Sequence, residues 1–124
     1  MLQATASILE RKYKDQHLEF DFASTSAFID LREVILTRKE HELLALLLEN
    51  AGDIVPREIL LERVWGYSRD IRTRTLDVHV RRLRKKLFPY GETYIETIFG
   101  IGYRFQRYRE PRNFSSFVPE LIAV

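Results

Sequence analysis

The sequence predicts an α+β domain in which an N-terminal antiparallel sheet precedes a three-helix core and a C-terminal β-hairpin. Three observations carry that expectation: strand-like alternation before residue 37, three stretches of helical apolar spacing between residues 37 and 87, and a glycine-punctuated strand pair after residue 93. With 124 residues and 45% hydrophobic content, the chain can bury one real core and is too short for two ordinary domains. No apolar run approaches the roughly 20 residues that span a bilayer, and the first sixteen residues lack the apolar centre of a secretory signal. The absence of cysteine excludes disulfides and thiolate sites and suits a reducing compartment. A soluble intracellular protein is expected.

Residues 1–16 are mostly polar and read as a linker or arm. From residue 17 to 36, Leu18, Phe20 and Phe22 alternate with Glu19 and Asp21, followed by Phe28 and Ile29 and then Val34, Ile35 and Leu36, which suggests a small sheet whose turns no Asn-Gly or Asp-Gly pair defines. Thr37-Arg38-Lys39-Glu40 fits a capping box, so a helix starts there and runs through Leu43, Leu44, Leu46, Leu47 and Leu48 until Gly52. Its leucines wrap more than half the circumference, the mark of a central core helix. Ile54 and Val55 make a short extended link to Pro56, which suits the start of a second helix over about residues 57–65, ended by Gly66.

The third helix is predicted over residues 72–87, where Leu76, Val80, Leu83 and Leu87 form one apolar stripe. The rest of its circumference is basic, and the basicity is local. Residues 1–68 hold eight Lys or Arg against twelve Asp or Glu and residues 87–124 hold four against four, whereas residues 69–86 hold eight against two, in a chain of net charge +2. Charge concentrated in this way suits a polyanion, because each neutralised phosphate releases condensed counterions; for an arbitrary basic helix a solvated face would rank first. Two helices joined by a short loop, the second basic, make a helix-turn-helix. Beyond Pro89-Tyr90-Gly91, residues 93–98 and 103–108 read as strands around Phe99-Gly100-Ile101-Gly102, and a hairpin placed after a helix-turn-helix is a wing. The domain is thus expected over residues 17–108, with an apolar C-terminal tail over 109–124 to which the sequence assigns no role.

With the elements in this order, the chain resembles the winged-helix effector domains of the OmpR/PhoB family of bacterial two-component response regulators, over roughly residues 18–106. The pieces are Leu36-Thr37 with Glu40 and the leucine-rich helix, Arg57-Glu58-Ile59-Leu60, Val64-Trp65-Gly66, the run from Arg74 through Leu87, Tyr94-Ile95-Glu96-Thr97-Ile98 and Gly100-Ile101-Gly102-Tyr103-Arg104-Phe105. The resemblance implies a winged helix-turn-helix with a four-stranded N-terminal sheet and the third helix in the major groove of double-stranded DNA. Carried over by position, Arg74 and Thr75 would meet phosphate, with Arg72 also on the DNA-binding side and Asp77, Val78, Arg81, Arg82 and Arg84 facing the groove. His79 and Lys85 would lie on the same interface, and Arg104 would leave the wing toward the minor groove. The chemistry suits those roles: a guanidinium bonds both acceptors of guanine, Val78 can touch a thymine methyl, and Asp77 can accept from a cytosine amine or orient a neighbouring Arg.

The resemblance also implies a cytoplasmic regulator that is a monomer when free and pairs on direct-repeat half-sites. A receiver domain and its sensor kinase are implied if the chain is a fragment. RNA polymerase subunits would touch the loop of Tyr67, Ser68, Arg69 and Asp70. The chain departs from the family at Phe99, where members often carry Arg. The alternative class is a winged helix used as a protein- or RNA-interaction module without sequence-specific DNA binding.

Catalysis is not expected. His17, His41 and His79 lie on different elements without carboxylates at metal-ligand spacing, no Ser, His and Asp elbow occurs, and Gly100-Ile101-Gly102 lacks the third glycine and following helix of a nucleotide loop. No cofactor or metal is implied, and Trp65 reads as a core anchor.

Overall fold

The computed structural model describes residues 11–68 and 73–109. Four short strands, β1 (Lys12–Lys14), β2 (Leu18–Asp21), β3 (Ser26–Ile29) and β4 (Arg32–Ile35), form an antiparallel sheet in sequential order. Helix α1 (Arg38–Glu49) follows, then β5 (Ile54–Pro56), α2 (Arg57–Trp65), α3 (Thr75–Lys86), a single turn α4 (Gly91–Tyr94), and the strands β6 (Ile95–Ile98) and β7 (Gly102–Phe105). The last two strands and β5 make a second antiparallel sheet in the order β5-β7-β6.

Residues 1–10 of the arm expected over 1–16 and residues 110–124 of the expected tail lie outside the described residues, and within 11–16 Lys12–Lys14 is a strand, because Tyr13 lies opposite Phe20 in a β1–β2 ladder. Three residues with one apolar centre are too few to show alternation. Their hold comes from elsewhere: the Tyr13 ring is buried edge-on against Phe105 at 5.5 Å. The neighbouring Asp15 carboxylate accepts from the hydroxyls of Tyr13 (2.5 Å) and Tyr94 (2.6 Å) and from the amides of His17 (2.9 Å) and Leu18 (2.8 Å). Burial pushes its pKa up, but those four donors outweigh burial and hold it below the ordinary 3.8. Asp15 thereby ties the first sheet to Tyr94, whose ring stacks on Phe105 of the second sheet at 5.4 Å.

The β3–β4 hairpin turns on Asp30 and Leu31, both at positive φ (49° and 69°). Such a two-residue turn matches the strand twist, and Asp tolerates the left-handed region while Leu does not. The conformation is imposed from outside. Asp30 pairs with His17 Nδ1 at 2.6 Å and accepts from the Tyr90 hydroxyl at 2.8 Å, and the Leu31 side chain points to solvent.

The helices cover one face of the first sheet. Leu18, Phe20, Ala27, Ile29 and Val34 point inward against Leu43, Leu44, Leu47, Leu60, Leu76, Val80 and Leu83 to make one core. The capping box forms as the sequence predicts, with the Thr37 hydroxyl accepting from the Glu40 amide (3.2 Å) and the Glu40 carboxylate accepting from the Thr37 amide (2.9 Å). That carboxylate is 2% exposed and also accepts from Lys86 Nζ at 2.5 Å, so the first turn of α1 holds the last turn of α3. Burial raises its pKa, but the Lys86 ammonium and the Thr37 amide prevail and hold it below the ordinary 4.5.

Boundaries in the second sheet differ from expectation, and the strand expected over residues 103–108 is confined to Gly102–Phe105. The extended link at Ile54 and Val55 is a strand, with Val55 opposite Tyr103, and the strand expected from residue 93 starts at Ile95 because residues 91–94 make a helical turn. Glycine permits both arrangements by close approach. A Cβ on Gly102 would overlap the Val55 carbonyl, and one on Gly91 would overlap the Arg84 carbonyl.

Two consequences are measurable. Leu31→Gly, which removes a Cβ from a left-handed position without deleting a buried contact, should stabilise the fold by about 1 kcal/mol in urea denaturation. Glu40→Gln should destabilise it by about 2 to 3 kcal/mol by leaving Lys86 without its anion. Because the folded-state pKa values of Asp15 and Glu40 are depressed, their contributions are complete above the ordinary carboxylate range and are lost as the pH falls through the depressed values. Acid titration of stability should therefore steepen below about pH 4 and flatten in Glu40→Gln.

Candidate nucleic-acid interface

Helix α3 sits on the core through Leu76, Val80 and Leu83, with Leu87 just beyond its last turn, all fully buried. It starts at Thr75, later than expected, and Arg74 in the cap position supplies no capping bond. Thr73 serves instead: its hydroxyl accepts from the Thr75 amide at 3.1 Å and lies 2.7 Å from the Thr75 hydroxyl. Arg72 lies outside the described residues, as do Arg69 and Asp70 of the preceding loop.

The basic residues divide into two sets. Arg74, Arg81, Arg82 and Lys85 are exposed, and Val78 among them is 40% exposed. Arg81, Arg82 and Lys85 make no hydrogen bond or ion pair with any described residue. Together these five side chains form an uncommitted strip along the outer face of α3.

The other predicted contacts are engaged inside the protein. Arg84 donates to the Ile95 carbonyl from Nε (3.0 Å) and Nη2 (2.6 Å) and to the Thr97 hydroxyl (2.7 Å), which fastens α3 to β6. The expectation that it faces the groove is not what this geometry gives; Arg84 follows Val80 by one helical turn and so lies beside the buried stripe. His79 donates from Nδ1 to the Thr75 carbonyl at 2.8 Å and packs edge-on against Trp65, with ring centroids 4.8 Å apart. Lys86 is held by Glu40. Arg104 donates twice to Glu96 Oε1 (2.9 and 2.8 Å), its cross-strand neighbour, and Gln106 joins the same oxygen at 3.0 Å. The wing therefore presents a neutralised pair where a free cation was expected.

Asp77 is the hub of the site. Its carboxylate accepts from both terminal nitrogens of Arg57 (2.6 and 3.1 Å) and from the Tyr103 hydroxyl (2.5 Å). The Arg57 bonds lower its pKa most, against the opposing effect of burial, with Tyr103 adding to the lowering. Conversely, burial and the bond to Asp77 push the Tyr103 hydroxyl up to about 12. The first residue of α2, the first turn of α3 and the middle of β7 thus meet at one carboxylate. Arg57 and Tyr103 are partners of Asp77 that sequence reasoning passes over, because each is twenty or more residues away from it. Only the fit of an Arg, an Asp and a Tyr hydroxyl hints at them. In the loop before α3, Tyr67 packs on the core and Ser68 is exposed.

The geometry can be set beside known proteins. Residues 31–105 match the family model described as "Transcriptional regulatory protein, C terminal". The transcriptional regulatory protein HprR of Escherichia coli (strain K12) is 45% identical over 89 residues, which is 71% of this chain but 40% of HprR. The chain therefore spans less than half the length of this relative. Among solved structures, the Klebsiella pneumoniae RstA DNA-binding domain in complex with RstA box superposes with a TM-score of 0.70 at 30% identity, covering 77% of this chain and 97% of that one. The Thermotoga maritima response regulator DrrB, an OmpR/PhoB homolog, gives 0.72 at 34% identity over 86% of this chain and 51% of its own. By the family match and the shared fold, this chain belongs to the C-terminal domains of transcriptional regulatory proteins, the winged-helix effector domains of the OmpR/PhoB response regulators.

Proposed function

We propose that the chain binds double-stranded DNA sequence-specifically, as the transcription-regulating output domain of a two-component response regulator, with α3 in the major groove. The observation that carries this reading is the exposed strip of Arg74, Val78, Arg81, Arg82 and Lys85 on a helix fixed at both ends. Arg81 and Arg82 have free guanidinium groups able to bond guanine O6 and N7, and Val78, one helical turn before them, suits a thymine methyl. Arg74, exposed beside the first turn of α3, suits a backbone phosphate. Asp77 and Arg84 act as positioning residues, and His79 as a packing residue. The RstA domain's complex with its RstA box supports the same use of this fold here.

Pairing of two copies on direct-repeat half-sites, a preceding receiver domain with its sensor kinase, cytoplasmic residence and a polymerase contact at the loop of Tyr67 and Ser68 are supported by the resemblance. A protein- or RNA-interaction module would use the same basic face. It gives no reason for an exposed valine one turn from a pair of arginines, whereas a base edge does.

Selection of bound sites from random duplex DNA should recover a spaced, repeated motif. On that motif Arg82→Ala should cost roughly 1 to 3 kcal/mol and relax base preference at one position. Arg74→Ala should weaken all duplexes alike and reduce the log-log salt slope by about 1. Recovery of no motif, with affinity indifferent to both substitutions, would remove α3 as the reading element.

A further inference from the structure

We propose that the wing enters the minor groove as an apolar wedge, with the ring of Phe99 as the inserted group and Ile101 packed on the sugars beside it. The inference rests on the DNA-reading function above and names the chemistry of its second contact. Phe99 is 91% exposed and Ile101 48% exposed, two large apolar side chains at the tip of one tight turn. The sequence departure at Phe99 is therefore not a change from an ion contact to internal packing, because among the described residues the ring stands 91% exposed.

The turn is held firmly. Ile101 donates to the Ile98 carbonyl at 3.0 Å, the Arg57 amide donates to the Ile101 carbonyl at 2.9 Å, and Gly102 sits directly on the Val55 carbonyl. One residue further on, the Tyr103 hydroxyl bonds Asp77 of α3. The same carboxylate that fixes the first turn of the reading helix thus holds the strand leaving the tip, and Arg84 holds the strand entering it, so the hairpin that carries the ring is fastened to that helix.

A cationic contact is not what this wing offers. Between Ile95 and Phe105 the sole basic residue is Arg104, and Glu96 neutralises it. A narrow minor groove attracts free arginines through its negative potential, so this wing gains little from that source. A phenyl ring instead gains by leaving water against the sugar faces and by partly unstacking a flexible pyrimidine–purine step, as apolar wedges do. The contact then contributes affinity independent of salt and a preference for deformable steps outside the major-groove motif.

The test uses the whole chain and a duplex recovered by site selection, labelled with 2-aminopurine at the step flanking the motif. Phe99→Ala should weaken binding roughly tenfold, leave the salt slope unchanged, and abolish the rise in 2-aminopurine fluorescence on binding. Phe99→Lys should steepen the salt slope by about 0.9 without restoring the fluorescence. If Phe99→Ala binds the selected duplex with unchanged affinity and fluorescence, the wedge is overturned while the DNA-reading function stands. If the unmodified chain selects no duplex, that function fails and the wedge with it. Loss in Phe99→Ala of self-association seen by sedimentation without DNA, at unchanged DNA affinity, would assign the ring to a second copy and overturn the wedge.

Discussion

The structure turns on a buried carboxylate that two helices share. Glu40 closes the capping box of α1 and, through the same oxygen, takes the ammonium of Lys86 at the end of α3. A buried carboxylate without partners would be neutral or would unfold its surroundings, and here the Thr37 amide and the Lys86 ammonium make its charge tolerable. The apolar stripe of α3 gives the helix its adhesion but little directional preference, since leucines slide and rotate against one another at small cost. The Glu40–Lys86 pair supplies what the stripe lacks, fixing the axial position and rotation of the helix at its C-terminal end.

Asp77 does the corresponding work at the other end. Its bonds to Arg57 and Tyr103 set the first turn of α3 against α2 and β7, while Arg84 fastens the last turn of the helix to β6. Three polar fixings along twelve residues leave the exposed strip little freedom. A reading surface benefits from this rigidity, because side chains already in place lose less entropy when they meet base edges. Wing and helix also become one body, since Tyr103 and Arg84 both cross between them.

The fold was largely legible in the sequence because its strongest signals are periodic and local. The capping box at Thr37 and Glu40, the leucines of α1 and the stripe of α3 each announce themselves within one or two turns. The elements that escaped are those whose reason lies far away. Lys12–Lys14 is a strand because Tyr13 meets Phe105 and Asp15 meets Tyr94, and Ile54–Pro56 is a strand because β7 lies beside it. The site shows the same division. Arg81 and Arg82 were readable as outward cations from helical spacing alone, whereas the engagement of Arg84 and Arg104 depends on Ile95, Thr97 and Glu96, whose positions the folded wing alone defines.

The division of cations bears on what kind of recognition this surface can support. Counted from the sequence, residues 69–86 hold eight Lys or Arg. Among the described ones, Arg84 and Lys86 are bonded internally, leaving Arg74, Arg81, Arg82 and Lys85 facing outward. If each neutralised one phosphate, these four would give a log-log salt slope of roughly −3.6 per copy on B-DNA, and every guanidinium that reads a base lowers that figure. A charge-driven surface would leave its arginines unconstrained and its wing basic. This one commits Arg84 and Arg104 to internal geometry and turns an aromatic ring outward at the wing tip. The balance favours fit over attraction, which is the condition for telling one duplex from another.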